Sequence, residues 1–433
     1  MNQISPIAPI NVSAKESSYS VRWPLIAGHI VENFDNTLYG FFAVMLAPIF
    51  FPATSHAGQL LSSYGAFAAG FLARPLGAMI FGILGDKSGR KNSLLYSIGL
   101  VSIPTLTIGL LPSYETIGIL APIFLVLSRL AQGLFIGGEF SGVNIYLLET
   151  SSKHALGSKT GYLLASGVLG AILATAFGSI FTLEIMPQGS WRIPFLLGGI
   201  SALFTYFFRR KISETETFLK EKTAKNTNHA PWKEVLTQHK SSCIISCLIA
   251  GFTIMPLYLT TIFGNRLFKE IGYNQSQSMS LNMITMLFDG VLVIYSGKLA
   301  DQIGFKKHML LGPILTAIAA IPAFYLILPS HTTTLTVYLF ILILSITGTL
   351  INGCAMPYIG RLFPTRCRYT GVALSVTVGQ ALFGGTTPLV ASYLTDLIGS
   401  RLAPAFWLMA YSLITAYAVF YANRHLRAEA KEH

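Results

Sequence analysis

Gly85-Asp86-Lys87-Ser88-Gly89-Arg90-Lys91 follows one long apolar run, and Ala300-Asp301-Gln302-Ile303-Gly304-Phe305-Lys306 follows another. Their aspartates lie 215 residues apart. A second pair, Tyr146-Leu147-Leu148-Glu149 and Tyr358-Ile359-Gly360-Arg361, repeats at an offset of 212. Two matches at nearly one offset read as two homologous halves. A pseudo-symmetric pair of bundles is the architecture of alternating access.

Working outward, apolar runs and their breakers give twelve spans: 23–51, 59–84, 92–112, 117–148, 157–183, 191–209, 241–265, 276–297, 308–328, 334–360, 370–396 and 402–422. A bilayer-crossing helix needs about 20 apolar residues. Backbone groups in lipid must bond internally, so the runs are expected to be helices. They are continuously apolar rather than alternating, which excludes a β-barrel. The expected fold is an all-α membrane protein with twelve transmembrane helices in two six-helix bundles. The expected units are a tail (1–22), a first bundle (23–209), a central loop (210–240), a second bundle (241–422) and a tail (423–433).

Composition agrees. Of 433 residues, 52% are hydrophobic and only 11% charged, against roughly 25% charged in soluble domains. That excludes a soluble enzyme, a nucleic-acid binder and a disordered scaffold. The net charge of +12 is a matter of placement. With both ends on one side, 24 of the 30 Lys and Arg residues share a face, eight of them between Arg209 and Lys240. The other face has Arg192, Arg266, Lys269 and Arg401, while Arg74 and Arg129 fall inside spans. The positive-inside rule then places both termini in the cytoplasm, in a multi-pass protein of a bacterial inner membrane whose basic face meets anionic lipid. No signal peptide is expected. Cys243, Cys247, Cys354 and Cys367 fall in or beside apolar runs without metal spacing to His, and are expected as inert thiols. No metal site, cofactor or ATP motif is expected. Gly157-Ser158-Lys159-Thr160 does not complete a P-loop.

Six ionisable residues lie well inside spans: Glu32, Asp35, Arg74, Arg129, Glu139 and Asp289. Each is costly in lipid, by about 2.5–3.5 kcal/mol at a helix centre, which makes an ion or substrate pathway the default hypothesis. Glu32 and Asp35 share a helix face. Their mutual repulsion favours a proton on one of them, as a proton carrier needs. His29 precedes Glu32 by three and reads as a polar helix-end residue. Gly170, Ala174 and Gly178 form a small-residue stripe that lets helices approach. At the basic face, Asp86, Arg90 and Glu149 are placed to form a gate network. Phe305 occupies the repeat position of Arg90, and Arg361 that of Glu149. Arg361 is expected to reach Asp301 or Glu214 instead.

These residues resemble the major facilitator superfamily. Gly85–Lys91 fits its G-x-x-x-G-R-[KR] signature, and Arg129-Leu130-Ala131-Gln132-Gly133 fits R-x-x-Q-G. Glu32-Asn33-Phe34-Asp35-Asn36-Thr37-Leu38-Tyr39-Gly40 is similar to the first-helix pattern E-W-F-D-F-x-x-Y-G of the metabolite:proton symporters, the group of proline/betaine, shikimate, α-ketoglutarate and citrate permeases. Arg74-Pro75-Leu76-Gly77, Gly137-Gly138-Glu139, Trp191-Arg192-Ile193-Pro194-Phe195 and Leu362-Phe363-Pro364-Thr365-Arg366 match too. Asn33 and Asn36 stand where the group has aromatics, and Arg361 where it usually has Glu.

The resemblance implies that spans one, four, seven and ten line a cavity. Arg129 would then meet Asp35 or a substrate carboxylate, and Glu139, about 15 Å further along the helix, would pass the proton on. The expected proton-coupling residues are Asp35, Glu32 and Glu139. The expected substrate residues are Arg129, Arg74, Tyr39, Tyr258 and Asp289, with Tyr39, Phe252, Tyr258 and Phe263 considered as cation–π partners. The expected gate is Asp86, Arg90, Glu149, Asp301 and Arg361. Gly170-Ala171 replaces the Gly-Pro of drug antiporters, and no osmosensing coiled-coil tail is expected. The function expected is a monomeric proton symporter, not an enzyme, whose partners are a proton, a small zwitterionic or carboxylated metabolite and membrane lipid. A proline/betaine-like solute ranks first, because both in-span arginines lie in the first half. Citrate, α-ketoglutarate or shikimate symport is the alternative, and a non-transporting sensor on the same fold a third reading.

Overall fold

A computed structural model describes residues 23–51, 56–152, 155–181, 185–187, 189–223, 231–273 and 275–429. Lys15, Arg22, Lys153, Lys225 and Lys431, counted above toward the basic face, lie outside the described residues. The first half contains α1 (Trp23–Phe50), α2 (His56–Ser88), α3 (Arg90–Leu110), the single turn α4 (Tyr114–Ile117), α5 (Leu120–Thr150), α6 (Leu156–Phe181) and α7 (Arg192–Arg209). Two short helices, α8 (Glu216–Thr223) and α9 (Pro231–Gln238), lie in the central loop. The second half contains α10 (Lys240–Thr260), α11 (Ile262–Ile271), α12 (Gln275–Ile303), α13 (Phe305–Tyr325), α14 (Thr334–Thr349), α15 (Asn352–Gly360), α16 (Arg368–Gly379), α17 (Thr387–Ile398) and α18 (Ala403–Glu429).

Twelve spans result, six in each half. Nine helical stretches among the described residues are long and apolar enough to cross a membrane by length and composition. Span one (α1), span six (α7, only 18 residues between Arg192 and Arg209) and the interrupted span eleven complete the set. Large side chains such as Leu72, Ile103, Leu389 and Tyr417 stand exposed on the outer faces. In water such a belt would drive aggregation; in a bilayer it faces its solvent.

Three spans of the second half are broken. Span seven runs past its expected end at 265 to Ile271, with a break at Thr261. Pro256 lacks an N–H there, and the Thr260 and Thr261 hydroxyls donate back to the Leu257 carbonyl at 3.0 and 2.6 Å, a competition that bends helices. Span ten divides between α14 and α15. Span eleven passes through a π turn, Gln380–Gly384, before Pro388 helps start α17. Irregular backbone is tolerated at membrane depth where it borders a cavity, and Tyr258, Asn352 and Gln380 beside the breaks all do so.

The repeat is visible in the backbone. Gly89 and Gly304, which keep the 215-residue offset, both have positive φ, 108° and 84°. Each lets the chain turn sharply between two spans, where a side chain would be strained.

The halves meet mainly at the basic end. There α6 packs along α12, and α2 and α5 along α16, whereas α11 and α17 at the opposite end pack within their own half. One continuous apolar core joins Leu94, Val143 and Tyr146 of the first half to the second half. A separate core around Phe42, Phe50 and Trp191 holds the far end of the first half alone. The molecule is therefore shut at the basic end.

Gly157 of α6 and Gly297 of α12 touch backbone to backbone, and a Cβ on either would overlap the other's carbonyl. Gly297→Ala should cost about 1–3 kcal/mol of overpacking and force the basic end open. We expect a lower melting temperature in detergent and faster labelling of a Ser158→Cys probe. Gly65→Ala, whose Cβ meets open space, should change neither; equal behaviour of the two variants would count against this contact as the closure.

Candidate substrate cavity and gate

A cavity of about 330 Å³ lies between the halves. Its wall carries Glu32, Asn33 and Asn36 from α1, Arg74 from α2, Tyr258 from α10 and Asp289 from α12. Spacing of three and four residues puts the α1 group on one helix face. Arg74 lies 3.9 Å from the Phe71 ring centroid and donates to the Asn36 side-chain oxygen. Its Nε has no protein partner, and neither has one carboxylate oxygen of Glu32. Asp289 accepts from the Thr349 hydroxyl at 3.0 Å. His29 meets the Asn33 amide at 2.6 Å. The cavity thus brings together a cation and an acid of the first half and an acid and a phenol of the second.

Asp35, Arg129 and Tyr39 lie behind this wall. Asp35 accepts from Thr105 Oγ1 at 2.9 Å and from Gln132 Nε2 at 3.0 Å on both oxygens. Gln132 accepts in turn from Arg129 Nη1 at 2.8 Å, so it bridges the acid and the guanidinium. The Arg129 guanidinium lies over the Tyr39 ring at 4.3 Å. Among the other aromatics considered, Phe252 and Phe263 are core residues, and Tyr258 faces the cavity.

Glu139 forms a buried ion pair with Arg209, Nη1 to Oε1 at 2.5 Å, and accepts from Ser97 at 2.5 Å. Arg209 is counted with the central loop on sequence, but it ends α7, is 1% exposed and donates to the Pro24 and Leu94 carbonyls. It belongs to the charge network of the first bundle, not to the face of the membrane.

The basic end is closed by two crosswise helix caps. Asp86, near the end of α2, accepts the backbone N–H groups of Tyr369 and Thr370 at 3.1 and 2.9 Å, in the first turn of α16. Asp301, near the end of α12, accepts those of Gly157 and Ser158 at 2.7 and 2.8 Å, in the first turn of α6. Around the first cap, Arg90 holds Glu149 through Nε and Nη2, both at 3.2 Å, and reaches Asp86 at 3.3 Å and the Thr365 carbonyl at 2.9 Å. Arg368 of the second half adds a contact to Glu149 at 3.2 Å.

Arg361 departs from expectation. It reaches neither Asp301 nor Glu214; its guanidinium lies over the Phe305 ring, 4.6 Å from the centroid. Asp301 is committed to α6, and Glu214 accepts from the Arg90 and Lys91 backbone at the start of α3. The repeat positions that hold Arg90 and Glu149 in the first half hold Phe305 and Arg361 in the second, and they still pair.

Comparison with known proteins decides the family. Residues 23–230 match the family described as "Sugar (and other) transporter", and residues 254–432 match "Major Facilitator Superfamily". The citrate-proton symporter of Klebsiella pneumoniae is 30% identical over 408 residues, 92% of this chain and 90% of that protein. The chain belongs to the major facilitator superfamily. The proline/betaine transporter of Salmonella typhimurium is 32% identical, over 89% of this chain and 80% of that one. Among solved structures, a proton:xylose symporter bound to 6-bromo-6-deoxy-D-glucose superposes with a TM-score of 0.75 at 13% identity, covering 93% and 94% of the two chains. That is a likeness of fold. The score is 0.64 against a partially occluded inward-open conformation of the E. coli xylose transporter. Matches to membrane transporters across both halves make this superfamily member a multi-pass transporter, not an enzyme.

Sequence reasoning passes over Gln132, Thr105, Ser97, Arg209 and Arg368. Gln132 is legible after the fact, since it stands one helical turn from Arg129 inside the R-x-x-Q-G motif. Arg368 reads as one more basic-face charge.

The gate geometry predicts unequal effects of two substitutions. Glu149→Gln leaves two guanidinium groups without their carboxylate in a site where Arg90 and Glu149 side chains are each 1% exposed, and breaking such a pair costs about 3–5 kcal/mol. Arg361→Gln removes one cation–π contact, worth about 0.5–2 kcal/mol. On a background with the four native cysteines replaced, cysteine accessibility at the basic end should rise strongly for Glu149→Gln and little for Arg361→Gln. Equal effects, or a larger one at Arg361, would contradict the asymmetric latch.

Proposed function

We propose that the chain is a proton-coupled symporter that imports a small zwitterionic metabolite of the proline/betaine kind. The observation that carries this reading is one cavity lined by Arg74 from one half and Asp289 from the other. A guanidinium offers a carboxylate a two-pronged fork, and a carboxylate opposite it suits an ammonium group. An ammonium that retains N–H bonds can donate them to Asp289, which favours a proline-like amino acid over a fully methylated betaine. A quaternary ammonium is best held by an aromatic cage, and here Phe71 is already covered by Arg74.

In this reading Glu32, with an unpartnered oxygen on the cavity wall, receives the proton, and Asp35 one turn along α1 holds it. The Gln132 bridge then passes the change in charge at Asp35 to Arg129. Glu139 stays paired with Arg209 until the conformation changes. Both termini are cytoplasmic, the membrane is a bacterial inner membrane, and the unit is a monomer built of a first bundle (23–209) and a second bundle (241–422) around a central loop.

A second reading is symport of citrate or another carboxylate. The likeness to a citrate-proton symporter and the amide groups of Asn33, Asn36, Asn352 and Gln380 on the wall favour it. Proteoliposome uptake separates the two. Asp289→Asn removes the acid that an ammonium would use, so proline uptake should fall at least tenfold, a loss of about 1.4 kcal/mol in binding. Citrate uptake, if present in the parent protein, should hold or improve. Uptake of neither compound, with or without a pH gradient, would defeat both readings.

Coupling has its own test. Asp35→Asn should abolish accumulation driven by a pH gradient while sparing substrate exchange at equal pH. If Asp35→Asn still concentrates substrate, the coupling site lies elsewhere, with Glu32 next to be tested.

A further inference from the structure

Away from the cavity and the latch, three metal-ligating side chains from two distant parts of the sequence converge at the basic end. Glu234 lies in α9, His239 directly after it, and Cys367 ends the 3-10 turn Thr365–Cys367 that leads into α16. A carboxylate oxygen, a ring nitrogen and the thiol sulfur all lie within 4.8 Å of one another. His239 Nε2 is 3.4 Å and Cys367 Sγ 3.8 Å from the same oxygen, Glu234 Oε1. A tetrahedral zinc ion, with bonds of about 2.0 Å to N or O and about 2.3 Å to S, separates its ligand atoms by roughly 3.3–3.7 Å. The two separations from Glu234 are therefore already near ligand spacing.

We propose that Glu234, His239 and Cys367 form a binding site for a divalent ion of the zinc class, which staples the loop helix α9 to the turn before α16. The mixed sulfur, nitrogen and oxygen set suits a borderline cation rather than magnesium or calcium, and three ligands leave a fourth position for water. The His239 ring packs edge-on against Phe363 at 6.5 Å, which fixes its plane. Arg366 Nε lies 2.9 Å from Glu234 Oε1, but its side chain is 40% exposed and can turn to water as the ion takes that oxygen. Binding converts the Cys367 thiol and a divalent ion into a metal thiolate and one released proton, with no change of oxidation state. The site lies two residues before Tyr369, whose N–H is held by Asp86. A bound ion thus holds that turn where the shut gate needs it, and slows transport.

The test uses Co²⁺ as a spectroscopic probe of the purified, tag-free, full-length protein. We expect one Co²⁺ per chain, a thiolate-to-cobalt charge-transfer band, and displacement by Zn²⁺. Cys367→Ser should lose the band, and His239→Ala should bind at least tenfold more weakly. Cys243→Ser, which removes the thiol 3.6 Å from the Val235 carbonyl of α9, should keep the band. No band in the parent protein at millimolar Co²⁺, or an unchanged band in Cys367→Ser, would overturn the proposal. If Cys367→Ser does not fold, His239→Ala and Cys243→Ser decide: undiminished affinity in the first, or loss of the band in the second, overturns it equally.

Discussion

The closed end of the molecule rests on a carboxylate at the start of a helix, used twice and crosswise. Asp86 takes two backbone N–H groups of α16, and Asp301 takes two of α6. Each acid belongs to one half and each helix start to the other. The first turn of a helix has N–H groups with no partner inside the helix and carries the positive end of its dipole. Hydrogen bonds to a charged group are worth about 1.5–3 kcal/mol each, whereas exposed ion pairs contribute about 0–1 kcal/mol. The caps, more than the many basic side chains around them, therefore set the closed state. The open side of the cavity must then be the opposite end, where α11 and α17 stay within their own half.

Charge is distributed unequally around this frame. The first half keeps most of its in-span charges in fixed contacts, Asp35 with Thr105 and Gln132, Glu139 with Arg209, Arg74 with Asn36, while Glu32 keeps one oxygen without a protein partner. Its cavity helices α1, α2 and α5 are unbroken. The second half brings Asp289 to the cavity and breaks spans seven, ten and eleven around it. A rigid half that holds charge and a jointed half that can bend around a ligand suit a binding site that must be reached from two sides.

Much of this was legible in the sequence, for identifiable reasons. Long apolar runs announce spans because lipid demands internally bonded backbone. The repeat announced two halves and put Asp86 and Asp301 at the gate, but as members of ion pairs; that they take the first N–H groups of α16 and α6 shows only in the packing. Depth and direction were not legible. Asp35 and Arg129 were expected at the cavity and lie behind it, because residues one turn apart on a helix can face different neighbours. Arg209 closes an apolar run just as a membrane-edge arginine does, and only packing shows that it turns inward. The helix break at Leu350 carries no strong breaker of its own, whereas the one within 380–384 does: Gly384 stands beside Gly385, a signal that the reading of one continuous apolar span passes over.

The swap of Arg90 and Glu149 for Phe305 and Arg361 follows from which contacts must break. Contacts within one half, such as Glu139 with Arg209 or Arg361 with Phe305, can persist while the halves rock. Contacts between halves, such as Arg368 with Glu149 or Asp86 with α16, must be exchanged for water in each cycle. In the first half Glu149 serves both kinds at once: Arg90 holds it from inside and Arg368 from across the interface. In the second half Arg361 cannot accept a cation from across, and its own charge is absorbed by the Phe305 ring. The fold therefore keeps both helix caps but only one crosswise ion pair at the repeat-related acid position. The cap on α6 opens against two backbone hydrogen bonds and one from the Ser158 hydroxyl, and the cap on α16 against hydrogen bonds plus a buried charge cluster. Opening is thus biased to begin at α6 and α12, where the glycine contact has no side chains to disengage.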